Sequence, residues 1–183
     1  PTITRASQRR LPPAYGKQLP VIPAPPGTDS IRNDLARLVP SGRASTNDPD
    51  RVAYARDLWP RHQIATRAGN PAVAPPAVIV WPSNTQELAA VIQYAAARSI
   101  PVVPYGAGSG VCGGVLPTTD TVLIDMKRMR SLQRIDRARL TCDADAGMIG
   151  QHLEDDLNAA GFTLGHFPSS IYCSTLGGWI AGR

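Results

Sequence analysis

Proline and glycine divide this chain between them. Of 18 prolines, 14 fall in residues 1–82, whereas 12 of the 16 glycines fall from Gly106 onward. Proline locks φ and removes a backbone donor, while glycine opens the left-handed region and allows close backbone approach. The chain therefore has two regions of different character. Residues 11–28, LPPAYGKQLPVIPAPPGT, are barred from helix and read as an extended, polyproline-like arm. The later glycines fall in loops, and those loops carry the functional signal.

Between the breakers, the apolar periodicity predicts short elements. Residues 30–39 place Ile31, Leu35 and Leu38 on one helical face and stop at Pro40. A second short helix is expected over residues 48–58, with Asp48 as its cap and Pro49 in its first turn. Residues 77–81, AVIVW, form an apolar run bounded by prolines, the mark of a buried strand. Asn84 and Glu87 then have capping-box spacing before a helix lined by Leu88, Val91, Ile92, Ala95 and Ala96. Residues 100–104 supply the next strand, so residues 77–104 predict a strand–helix–strand unit whose strands are parallel neighbours. Further strands are expected at residues 121–125 and 140–144. A helix is expected over residues 148–160, with Glu154, Asp155 and Asp156 mostly on its solvated face.

At 183 residues, with 43% hydrophobic and 18% charged residues, the chain is long enough and apolar enough to bury a core. No run reaches the roughly 18–20 apolar residues of a membrane span, so no integral membrane segment is expected. Cys112, Cys142 and Cys173 lack disulfide-framework or zinc-ligand spacing. Free thiols, no metal and a cytoplasmic location are the expectations. The net charge of +5 is concentrated in residues 1–70, which hold 11 Lys/Arg against 5 Asp/Glu. Those arginines lie among prolines without interleaved aromatics, so a nucleic-acid partner is not expected.

The segment VVPYGAGSGVCGGV at residues 102–115 is the most informative. Gly108, Gly110 and Gly113 fit the G-x-G-x-x-G spacing of a dinucleotide site, but that fingerprint must open a helix. Here Gly113, Gly114 and Pro117 forbid one and the chain runs on to the strand at residue 121. What remains is a run of backbone amides with small side chains. It suits an anion-holding nest, or equally a glycine-rich turn between strands. A second segment, GHFPSSIYCSTLGGWIAGR at residues 165–183, sets the hydroxyls of Ser169, Ser170, Ser174 and Thr175 beside the Gly177–Gly178 pair. Short hydroxyls and bare amides suit a polar ligand rich in acceptors, and two such loops suggest one long ligand.

With both loops in view, the chain resembles the FAD-binding domain of the vanillyl-alcohol oxidase and para-cresol methylhydroxylase (PCMH-type) superfamily, in its FAD-linked oxidase branch. The resemblance runs over residues 48–183 through IVWPSNTQEL, residues 104–114, TVLIDMKRM, DADAGMIGQHLEDDL and GHFPSSIYCSTLGGW. It implies an α+β fold, with an N-terminal βαβ subdomain and the start of a second, mixed-sheet subdomain. Residues 1–47 would form a basic, proline-rich arm with a short helix. GHFPSS, STLGGW and RDLWP look closest to alkyldihydroxyacetonephosphate synthase and its bacterial relatives.

By that resemblance Pro104, Tyr105, Gly106, Ala107, Gly108, Ser109 and Gly110 would wrap the FAD diphosphate. Ser169, Ser170, Ile171, Tyr172, Cys173, Ser174 and Thr175 would line the cofactor from the other side, with Gly178, Gly182 and Arg183 following. Ser109 stands where some members carry a histidine that bonds FAD covalently, so noncovalent FAD is implied. The family continues beyond the position of Arg183, which implies that the rest of the FAD domain and a substrate cap, or a second chain, complete the unit. Catalytic residues are expected there and none is assigned here. The implied activity is hydride transfer from a 2-hydroxy acid or related alcohol, a small-molecule substrate, to flavin. The alternatives are an alkyldihydroxyacetonephosphate-synthase-like transfer without net redox, and a non-catalytic flavin-binding subunit.

Several residues near these loops have plainer roles. His62 and His152 are expected at the surface, His166 as a hydrogen-bonded structural residue, Cys112 as a small filler and Trp179 in the core.

Overall fold

In a computed structural model the described residues are 23–68 and 74–182. Most of the expected extended arm, and Arg183, lie outside them. The chain begins with α1 (Thr28–Leu38), β1 (Ala44–Ser45), α2 (Asp48–Ala53) and α3 (Pro60–Arg67). It continues through β2 (Val78–Val80), α4 (Thr85–Ala97), β3 (Val102–Tyr105) and β4 (Val122–Asp125). An antiparallel hairpin, β5 (Leu132–Asp136) and β6 (Thr141–Ala144), is followed by α5 (Gly150–Ala159) and α6 (Leu176–Gly182).

The first sheet has the order β1-β2-β4-β3, with β1 antiparallel to β2 and the other three strands parallel. The strands at residues 77–81 and 100–104 are thus parallel but not neighbours, a correction to the sequence expectation. β4 lies between them because its four residues VLID are at most 1% exposed. A run apolar on both faces belongs in the centre of a parallel sheet, where both edges are paired and both faces covered.

The strand alternation divides the core. Val78, Val80, Val122 and Ile124 face α1 and α4, where Leu35, Val39 and Val91 pack against them. Ile79, Leu123 and Tyr105 face the other way and meet Tyr54, Trp81 and Val115. A third cluster, Met148, Leu153 and Leu157, holds α5 against the β5–β6 hairpin. Parallel strands in one sheet and an antiparallel hairpin in the other make the fold α+β.

Helix ends follow local chemistry. The Asn84 side chain accepts from the Glu87 amide at 2.8 Å, and Glu87 reaches back to the Ser83 amide at 2.8 Å, so the capping box forms one residue wider than its simplest version. That backbone bond, with help from the Ser83 hydroxyl, Asn84 and Arg43, holds the Glu87 carboxyl below its ordinary range.

Several expectations need correction. The N-cap position of α2 is Asn47, because Asp48 has already entered the helix and pairs with buried Arg51 at 2.9 Å. Ile92 and Ala96 on α4 are exposed and Tyr94 takes part in the packing instead, since only the face of the helix turned to the sheet and α1 is covered. Glu154 is buried at 5% exposure because it accepts from the Thr163 hydroxyl and from the Leu164 amide at 2.9 Å, tying the chain beyond α5 back onto the helix. His62 is buried at 4% exposure beside Trp59, not at the surface. Among the described residues no helix is long and apolar enough to cross a membrane.

Candidate functional site

The segment after β3 leaves the sheet at Tyr105 and runs to β4 without forming a helix, as the breakers require. Tyr105 is 7% exposed. Its ring meets that of Tyr54 edge to face with centroids 5.0 Å apart, and its hydroxyl donates to the Arg56 carbonyl at 3.1 Å. Burial, reinforced by the charges of Asp125 and Asp57, raises its phenol above the ordinary value.

Three bonds from elsewhere in the chain then fix the loop. The Lys127 ammonium donates to the Gly106 carbonyl at 2.8 Å. The Leu58 amide donates to the Gly110 carbonyl at 2.9 Å. The Gly113 amide donates to the buried Asp57 carboxylate at 2.8 Å, while the other Asp57 oxygen accepts from the Trp59 amide at 2.9 Å. These bonds engage the loop through the carbonyls of Gly106 and Gly110 and the amide of Gly113. The amides of Ala107, Gly108, Ser109 and Gly110 donate to no acceptor among the described residues. Bare amides along a turn present partial positive charge, which is the chemistry of an anion nest.

Glycine is required at two of these positions. Gly108 has φ +68°, where a side chain would also strike the Tyr105 ring and hydroxyl. Gly106 has an ordinary φ, but a Cβ there would lie 2.4 Å from the Thr175 hydroxyl. That close approach joins the two loops singled out in the sequence.

Pro104 sits in β3 and Thr175 lies against Gly106, buried at 2% exposure. Ile171, Tyr172 and Cys173 form a single 3-10 turn, with Ile171 buried and Tyr172 and Cys173 exposed. Ser174 is buried, its hydroxyl donating to the Ser170 carbonyl at 2.7 Å and accepting from the Trp179 indole at 2.6 Å. The Gly178 amide is directed at the Thr175 hydroxyl at 3.3 Å. Ser169, just before the 3-10 turn, is exposed, and Gly182 ends α6 farther along. His166 is exposed and stacks edge to face on Trp179 at 4.9 Å.

A cleft of about 300 Å³ opens at the junction, with Ala107, Gly108, Ser109 and Cys173 on one side and Ala53, Arg56, Asp57, Leu58 and Gln63 on the other. The loop anchors Asp57 and Lys127 were not singled out by the sequence reading. They lie far from the loop in sequence, and no spacing rule connects them to it.

Behind the loop, Asp125 is 1% exposed and accepts from the Tyr54 hydroxyl, from the Lys127 amide at 2.8 Å and from its ammonium at 2.7 Å. Trp81 donates to the Tyr54 oxygen at 3.0 Å. Burial first, and the bond to Asp125 second, push the Tyr54 phenol far above its ordinary value. Among the described residues no three His, Cys, Asp or Glu side chains are grouped to hold a metal.

The profile of a family described as "FAD binding domain" matches residues 76–183. The alkyldihydroxyacetonephosphate synthase of Trypanosoma brucei brucei is 32% identical over 192 aligned residues, covering 96% of this chain and 27% of that protein. The glycolate oxidase subunit GlcD of Bacillus subtilis (strain 168) is 26% identical over 153 residues, covering 84% of this chain and 30% of its own length. A solved structure of alkyldihydroxyacetonephosphate synthase superposes with a TM-score of 0.81 at 29% identity, covering 90% of this chain and 31% of that one. The chain thus spans less than a third of the length of each of these relatives. A loop of unused amides closed against a hydroxyl-bearing turn, on a fold shared with these proteins, fits the dinucleotide that the matching profile names, and the chain belongs to the PCMH-type FAD-linked oxidase family, with FAD as its cofactor.

Proposed function

We propose that this chain forms the diphosphate-anchoring part of a noncovalent FAD site in an enzyme of the alkyldihydroxyacetonephosphate synthase type. The observation that carries the cofactor site is the closure of Gly106 onto Thr175, which brings the four unused amides of residues 107–110 beside the hydroxyl-rich turn. Both segments fit the cofactor. The amides supply donors without a fixed charge, and the missing side chains at Gly106 and Gly108 let Thr175 and Tyr105 pack directly against the loop that carries them.

In this reading Pro104 and Tyr105 lead the chain out of the sheet, and Gly106, Ala107, Gly108, Ser109 and Gly110 wrap the diphosphate. Ser169, Ser170, Ile171, Tyr172, Cys173, Ser174 and Thr175, with Gly178 and Gly182, line the opposite side. Ser109 has no imidazole for a covalent link, so FAD is held by hydrogen bonds and packing alone. When bound, FAD supplies an electron-accepting ring system. The chain's own residues orient its diphosphate and exclude water from the loop.

The transferase reading replaces the acyloxy group of a dihydroxyacetone phosphate ester by the alkoxy group of a fatty alcohol and releases the fatty acid, with no net oxidation. It is supported by similarity extending over 96% of the chain, including α1 to α3, which precede the FAD-domain match. A second reading, oxidation of a 2-hydroxy acid, rests on the similarity to the glycolate oxidase subunit.

Titration of the purified protein with FAD, followed by quenching of flavin fluorescence, tests the site. Saturation near one FAD per chain is expected, and no quenching would refute the assignment. With FAD bound, anaerobic glycolate or D-lactate should leave the flavin absorbance unchanged. Bleaching would favour the oxidoreductase over the transferase.

A further inference from the structure

Lys127 follows the centre strand of the sheet, in a single 3-10 turn (Met126–Arg128) just past β4. Its ammonium is held on three sides. It donates to Asp125 at 2.7 Å and to the Gly106 carbonyl at 2.8 Å, and it lies 5.4 Å and 5.2 Å from the ring centroids of Tyr54 and Tyr105. Asp125 is in register with Tyr105, so the lysine is set at the point where β3 ends and the glycine loop begins.

The contact with Gly106 has a geometric consequence. A trans peptide is planar, and its C=O and N–H point in opposite directions. No described peptide bond is cis. Holding the Gly106 carbonyl down on Lys127 therefore turns the Ala107 N–H to the opposite side, away from the lysine. Ala107 itself lines the cleft together with Gly108 and Ser109. Without the latch this peptide is free to rotate more widely, because Gly106 has no side chain to restrict it.

We propose that Lys127 is a positioning residue for the anion nest: by latching the Gly106 carbonyl it presets the first amide that the FAD diphosphate meets. The inference rests on the reading of residues 104–110 as the diphosphate loop. Lys127 acts through the loop backbone and without touching the ligand. The latch differs from a phosphate-binding lysine in the direction of its ammonium, which serves protein acceptors. The Lys127 backbone amide also bonds Asp125 at 2.8 Å, so substituting the side chain leaves that acid with this amide and the Tyr54 hydroxyl as donors.

The test is FAD and ADP binding by the wild-type protein, Lys127→Met and Lys127→Arg, with far-UV circular dichroism to verify folding. Losing a charge-assisted bond should raise the Kd of Lys127→Met for FAD about tenfold, and that for ADP in parallel, since ADP carries the same diphosphate. Lys127→Arg, which keeps a cationic donor, should stay within about threefold of wild type. If Lys127→Met does not fold, Lys127→Gln, which retains a neutral donor, carries the test with an expected intermediate loss. A folded Lys127→Met or Lys127→Gln that binds both ligands as tightly as wild type overturns the inference. If the wild-type protein binds neither FAD nor ADP, it is the assignment of the loop that falls.

Discussion

Replacing Gly106 by alanine tests whether the two loops form one site. The added methyl carbon would lie 2.4 Å from the Thr175 hydroxyl, whereas ordinary contact begins near 3.4 Å, so about 1 Å of separation must be found. Thr175 is 2% exposed and its hydroxyl takes the Gly178 amide, so neither rotation nor retreat is free. Overpacking of this kind costs about 1–3 kcal/mol. If the strain is relieved by parting the loops, FAD affinity falls roughly 5- to 150-fold, since about 1.4 kcal/mol corresponds to a factor of ten. The double variant Gly106→Ala/Thr175→Ala removes the clashing oxygen and leaves the Thr175 Cβ at an acceptable 3.6 Å from the new methyl. It should recover most of the lost affinity. The assay is flavin fluorescence quenching, with thermal melts to confirm that all variants are folded. A Gly106→Ala protein with wild-type affinity, or a folded double variant no better than the single one, would refute the coupling of the loops.

Two further changes probe the scaffold. Tyr54→Phe deprives buried Asp125 of one donor and the Trp81 indole of its acceptor at 3.0 Å, a loss of about 1–3 kcal/mol in urea denaturation. Because burial and Asp125 raise Tyr54 above its ordinary 10.0, the folded state keeps this proton where the unfolded state has released it. Its contribution is complete below pH 10 and declines as pH rises beyond that. The thermal midpoint should therefore drop on raising the pH from 9 to 11, less steeply in Tyr54→Phe, and an equal slope in both proteins would contradict the reading. Glu154→Ala leaves the Leu164 amide and the Thr163 hydroxyl without their acceptor and should cost about 1–3 kcal/mol, with faster hydrogen exchange at Leu164. Unchanged exchange there would contradict that account.

Much of the fold was legible because each signal was local. The run AVIVW, the Asn84–Glu87 cap and the 3.6-residue stripe of α4 contain their own instructions. β1 escaped because a two-residue strand has no period to detect. β5 escaped because LQRID is only half-buried and its polar residues face solvent. The sheet order could not be derived from the strand–helix–strand unit alone, since the centre position goes to whichever strand is apolar on both faces, and β4 comes later in the chain. At the candidate site, the two glycine- and hydroxyl-rich segments stood out in the sequence. The residues that support them, Asp57 from the segment after α2 and Lys127 from the turn after β4, are brought in by tertiary packing. A polar residue recruited that way looks in sequence like any solvated charge, as does Glu154.

The insertion of β4 also links ligand binding to the order of folding. β2 has no parallel partner until β4 arrives, and the chain between them includes α4, β3 and the whole glycine loop. Closing that long excursion costs chain entropy before any ladder bond is gained, so the parallel sheet is a late, non-local event. The loop proposed to hold the diphosphate is also the tether from β3 to β4. On that proposal, an anion bound there would favour the closed tether and hence the completed sheet, and the free energy of binding at this loop would at the same time be free energy of folding.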